Sequence, residues 1–181
     1  MTNVRSIKND RSGFTLIEMI ITITIMGIVM GIAALNFNTW QTKNKIESQV
    51  REIFVDLNEA RTNAFTQKKY YSIMFQPNSY VMKSYSTSQP TIYNIGTTTG
   101  TVVATKNLKY ALSTRTDSGT TITSIVDTPV IFDASGITFN WFTVTIDPSI
   151  SGMGSASVNC LVISTARANM GKMNGTKCEF K

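Results

Sequence analysis

The chain is expected to fold as an α+β protein, with a long N-terminal α-helix packed on a C-terminal antiparallel β-sheet head. Three features of its 181 residues point there. An apolar run, Phe14 to Leu35, follows a short polar start and would span about 33 Å at helical rise. An amphipathic stripe then continues at helical spacing, and from Tyr70 onward the pattern changes to short alternating runs separated by turn residues. This length holds one modest head beside an anchor, with no second domain expected.

The run Phe14–Leu35 exceeds the roughly 7 to 15 apolar residues of a secretory signal. It is interrupted by Glu18 and by scattered threonines. A carboxylate in hydrocarbon costs on the order of 2.5 to 3.5 kcal/mol unless something offsets it. A plain single-pass anchor leaves that residue unexplained. Arg5, Lys8 and Arg11 lie ahead of the run and favour an N-terminus on the inner side, although Lys43, Lys45 and Arg51 beyond it weaken the asymmetry.

Beyond the anchor, Ile46, Val50, Ile53, Leu57, Ala60 and Ala64 recur at alternating four- and three-residue spacings, with Phe54 beside them. They form one apolar face, expected against a sheet. The oppositely charged pairs Lys43 to Glu47 and Glu47 to Arg51 are expected on the solvated face, each worth a few tenths of a kcal/mol. The helix should fade near Thr66 to Lys69.

In the head, Tyr71, Ile73 and Phe75 alternate and face a second run, Tyr80 to Tyr85, across "QPNS", as in a hairpin. "PVIFDASGITFNWFTVTI" predicts a second hairpin turning at Asp133 to Gly136. "STSQPTIYNIGTTTG" and "TRTDSGTTITS" have the composition of exposed loops. "CLVIS" predicts a late strand and "NMGKMNGTK" a turn-rich tip.

The chain has no histidine, no Cys-x-x-Cys pair, no phosphate loop and no nucleophile–base pattern. No metal, no cofactor and no enzymatic activity are therefore expected. Asp133 and Ser135 read as turn chemistry. The net charge of +6 is spread out, with no dense basic block in the body.

The segment "GFTLIEMIITITIMGIVMGI", Gly13 to Ile32, behind its basic leader, resembles the class III signal of type IV pilins and type II secretion pseudopilins. The resemblance implies a pilin fold divided into a leader over 1–13, a membrane and filament-core helix over 14–36, an amphipathic half over 37–69 and a head over 70–181. It implies cleavage after Gly13 by prepilin peptidase, N-methylation of Phe14, and an assembly role for Glu18 as the fifth mature residue. Implied partners are the peptidase, other pilins or pseudopilins in a filament, and an inner-membrane assembly platform. The implied location is the bacterial inner membrane, N-terminus cytoplasmic and head periplasmic or extracellular, and then the pilus or pseudopilus.

"REIFVDLNEARTNAFTQKKYYSIMF" and "LVISTAR" are similar to the minor-pilin group that contains the H-type pseudopilin. The chain departs from family habit in two places. Ala33, Ala34 and Leu35 stand where many major pilins have a proline, and Ala166 precedes Arg167 where the group often has glycine. Gly27 and Gly31 form a Gly-x-x-x-Gly pair that permits close helix contact, or reflect the general abundance of glycine in membrane helices. In an oxidising compartment Cys160 and Cys178 would close a loop worth about 3 kcal/mol; two separate buried thiols are the alternative.

The leading expectation is thus a structural minor pilin or pseudopilin near the filament tip that aids assembly initiation. The second is a DNA-binding minor pilin for DNA uptake, with Arg167, Lys172, Lys177 and Lys181 as phosphate contacts, though without aromatic residues interleaved for base stacking.

Overall fold

The computed structural model describes residues 13–86, 100–115, 122–138 and 141–180, and the side chains of 34–36 are left aside. The leader residues 1–12, most of the two Thr-rich segments and Lys181 lie outside the described residues. Helix α1, Leu16–Gln67, runs for 52 residues. Among the described residues ten strands follow: β1 (Tyr70–Gln76), β2 (Ser79–Tyr85), β3 (Thr101–Asn107), β4 (Leu112–Arg115), β5 (Ile122–Ser124), β6 (Thr128–Phe132), β7 (Phe142–Ile146), β8 (Cys160–Ser164), β9 (Arg167–Asn174) and β10 (Lys177–Phe180). This is an α+β, pilin-like fold. Its residues divide into two compact units, one up to Asn38 and one from Thr39 onward.

The second unit is organised by the apolar stripe of α1. Ile46, Val50, Ile53, Leu57, Ala60 and Ala64 are each at most 2% exposed. They share one core with Tyr71, Ile73, Phe75 and Val130 on one side and with Leu112, Val144, Ile146 and Leu161 on the other. Fully burying a Leu or Ile side chain contributes about 1.5 to 3 kcal/mol, so this stripe holds both sheets on one helix. The helix stops where Lys68 takes a left-handed φ of 54° and the Lys69 N–H reaches back to the Ala64 carbonyl at 3.3 Å. That six-to-one bond closes the last turn.

All strand pairs among the described residues are antiparallel. One sheet has the order β3-β2-β1-β6 and the other β10-β9-β8-β7-β4-β5. The first hairpin forms as its alternation implied, with Gln76 opposite Ser79 and only Pro77 and Asn78 between them.

The second hairpin does not form. Asp133 does turn the chain, its Oδ1 accepting from the Ser135 and Ile137 N–H groups, and Gly136 takes a φ of 72°. The flanking runs then part: β6 pairs with β1, while β7 lies between β4 and β8. After one bridge between Phe132 and Thr138, the Thr138 N–H donates to the Thr165 carbonyl, which takes the chain away from β6. Four consecutive residues are buried in each of β6 and β7. Both strands need cover on two faces, and alternation does not specify the partner. Pro129 fits because β6 is an edge strand.

The expected turn-rich tip is mostly sheet. Residues 169–174 extend β9, and only Gly175 and Thr176 separate it from β10; Gly175 supplies a φ of 58°. Of the second Thr-rich segment, the described parts Thr114–Arg115 and Ile122–Ser124 belong to strands β4 and β5 and not to an open loop.

Buried polar groups are matched in place. The Gln49 amide donates to the Tyr110 carbonyl at 2.8 Å and accepts from the Lys109 and Tyr110 N–H groups at 3.1 and 3.0 Å. Asn159 donates to the Met153 carbonyl and accepts from the Met173 N–H. The Tyr80 hydroxyl donates to Asp56 Oδ2 at 2.5 Å. Burial, and then the neighbouring Asp56 carboxylate, push the Tyr80 phenol well above its ordinary range.

Glu47 corrects the picture of a solvated charge pair. Its side chain is only 15% exposed, with Lys43 at 4.0 Å and Arg51 at 3.7 Å. Its Oε1 accepts from the Ser157 N–H at 2.7 Å and ties the loop before β8 to α1. Burial by itself would raise this carboxyl, but the Ser157 hydrogen bonds, Lys43 and Arg51 outweigh it and hold it below the ordinary 4.5.

Cys160 and Cys178 are bonded, with Cα atoms 6.0 Å apart and a sequence separation of 18. They link β8 to β10 past β9, directly over Gly171, which pairs with Cys160 on one side and Phe180 on the other. A Cβ on Gly171 would collide with the Glu179 carbonyl and lie 2.8 Å from Cys178 Sγ. Only a bare backbone leaves room for the bridge.

Two outcomes follow. Gly171→Ala should impair formation of the disulfide, seen as alkylatable thiols under non-reducing conditions, and remove up to about 3 kcal/mol of stability; quantitative oxidation with unchanged thermal unfolding would contradict this. Glu47→Gln should lower the melting temperature at pH 7 by roughly 2–4 °C. Because the folded carboxyl is depressed, its contribution is present above the ordinary value of 4.5 and is lost as the pH falls through the lower folded value. The gap between the two proteins should therefore close in acid, as followed by circular dichroism.

Candidate functional site

Gly13, Phe14 and Thr15 precede the first turn of α1 and are exposed. Thr15 sits at the cap: its Oγ1 accepts from the Glu18 N–H at 3.3 Å, and its carbonyl accepts from the Met19 N–H at 3.2 Å. This Thr-x-x-Glu spacing is that of a capping box, in which the cap hydroxyl satisfies an N–H that the helix leaves without a partner. The sequence reading passed over Thr15, although a threonine three residues before an acid and just ahead of an apolar run is a helix-start signal. Glu18 consequently lies in the first turn, where the helix dipole favours a carboxylate.

The eighteen residues Leu16–Ala33 have a mean hydropathy of 2.3, and none of them is buried within the chain. The threonines in this stretch are compatible with hydrocarbon because their hydroxyls are satisfied inside the helix. Thr22 donates to the Met19 carbonyl at 2.9 Å and Thr24 to the Ile20 carbonyl at 2.7 Å. Gly27 and Gly31 lie one turn apart, and a Cβ built on either would meet nothing within 4 Å. Packing within this chain does not require them to be glycine.

The cations of the DNA reading lie on the last two strands. Arg167 opens β9, Lys172 follows five residues later and Lys177 opens β10. An odd spacing along a strand directs side chains to opposite faces, so Arg167 and Lys172 do not share one. Lys172 stands directly across from Glu179. The three residues do not form a single basic stripe, and Lys181 is outside the described residues.

Residues 8–34 match the prokaryotic N-terminal methylation motif, a match that covers the end of the leader, the Gly13–Phe14 junction and nearly all of the apolar run. The match supports a class III signal peptide and, with it, a type IV pilin-like protein. No curated protein and no solved structure matches it. The motif implies processing by prepilin peptidase and assembly with other pilins, and it points to a structural subunit. In this pilin-like chain the exposed apolar helix is consistent with membrane anchoring.

Proposed function

We propose that this chain is a structural minor pilin or pseudopilin, cleaved after Gly13 by the membrane-embedded prepilin peptidase, methylated on the new N-terminal Phe14, and incorporated near the tip of a pilus or pseudopilus, where it helps initiate assembly. The observation that carries the reading is Glu18 in the first turn of an apolar helix that its own chain does not bury. The bond between Gly13 and Phe14 lies in exposed, non-helical backbone, so the peptidase can reach it without unwinding α1.

Cleavage creates an ammonium four residues before Glu18. That ammonium lowers the cost of placing a carboxylate in hydrocarbon, first within one chain and then between chains, when the ammonium of an entering subunit meets the Glu18 carboxylate of its neighbour. The pairing has one favourable axial offset, so the buried charge would set subunit register. Gly27 and Gly31, with open space at both Cβ positions, offer the same helix a flat face for another apolar helix. A cytoplasmic N-terminus and an exported head accord with the basic leader and with a disulfide that persists in an oxidising compartment.

Glu18→Ala should leave cleavage and membrane insertion intact and reduce incorporation into sheared filaments at least tenfold. Wild-type incorporation of that variant would sink the role given to Glu18.

A further inference from the structure

The flanks of α1 in the head differ in charge and shape. On one flank Glu52, Asp56 and Glu59 surround Lys106 of β3; its Nζ lies 2.8 Å from Glu52 and 3.9 Å from Asp56, and Glu59 acts on it through space. Three carboxylates thus face one ammonium. Beside them Val55 is 59% exposed, an apolar knob with Glu59 one turn further on.

The other flank carries a groove of about 420 Å³ lined by Phe54, Arg167, Ala168, Asn169, Met170 and Phe180. Its walls are about equally polar and apolar, Phe180 is 60% exposed, and Arg167 makes no ion pair among the described residues. Phe54 and Glu59 are five residues apart, about 140° around a helix, so knob and groove open on different sides. A copy cannot close its own groove with its own knob.

We infer that the groove receives the Val55–Glu59 ridge of a second copy of this chain, Val55 against Phe54 and Phe180, and the Glu59 carboxylate against the Arg167 guanidinium. The inference rests on the filament-subunit reading and deepens it by naming a neighbour. Knob and groove are different surfaces, so the contact is heterologous and does not close. Two joined copies leave one groove and one ridge free. Such a pair is a seed that can recruit the next subunit, as initiation requires.

The test uses the processed full-length chain in lipid bilayers, with normal and heavy-isotope copies mixed equally. In Arg167→Lys, a carbodiimide that joins carboxylate to amine without a spacer should yield peptides linking residue 59 of one isotopic copy to residue 167 of the other. Single charge reversals, Glu59→Arg or Arg167→Glu, should reduce oligomers roughly tenfold at low salt, and combining them should restore most of the loss. The inference is overturned if the link occurs only within one copy, joins a different protein, or is absent from a chain with an intact disulfide and unchanged melting. It is also overturned if the combined reversal recovers nothing. Intact mass separates the two readings: a cleaved, inserted chain lacking the link removes this contact alone, whereas an uncleaved chain counts against the subunit reading itself.

Discussion

An apolar helical surface left in water is unfavourable by about 25 cal/mol for every Å² exposed, and the first half of α1 is exposed along its whole length within its own chain. Something outside the chain must cover it. Two environments can do so, a bilayer and the helices of neighbouring subunits. Both exclude water, so both impose the same local chemistry. Backbone groups must be paired, as they are in a continuous helix, and hydroxyls must find acceptors within the helix, as Thr22 and Thr24 do. Glu18 is the exception, and it sits one turn from the junction where processing would supply a compensating charge.

The head faces the opposite problem, since it must fold around the continuation of that same helix. It does so by making the helix the centre of its core. The six stripe residues of α1 share one core with residues of both sheets, and a set of side-chain bonds ties other parts of the head to the helix: Gln49 to Lys109 and Tyr110, Glu47 to Ser157, and Asp56 to Tyr80. Each bond joins α1 to a distant part of the chain. The amphipathic half therefore acts as the spine of the head, and the disulfide over Gly171 secures the edge of the larger sheet.

What could be read from the sequence follows the range of the interactions involved. The stripe was legible because period 3.6 is a local property of one helix, and the first hairpin because two residues joined its strands. The separation of β6 from β7 was not, since alternation marks a strand without naming its partner. The strand character of β3 was hidden by two threonines and Lys106 on an edge that tolerates both residue types. Glu47 read as solvated because nothing local announces the approach of Ser157 from 110 residues away. Gly171 was missed for the same reason: its need to be glycine comes from a bridge formed by strands on either side. At the N-terminal site the motif was plain, and Thr15 could have been added from its spacing to Glu18.

The central claim is that the junction before Phe14 is cut and that the new terminus is what makes Glu18 tolerable. The most direct measurement is the intact mass of the chain purified from membranes of cells with active prepilin peptidase. The account predicts loss of residues 1–13 and a single methyl group on Phe14. A full-length, unmethylated chain from those membranes would contradict it, leaving a plain anchor with an uncompensated carboxylate.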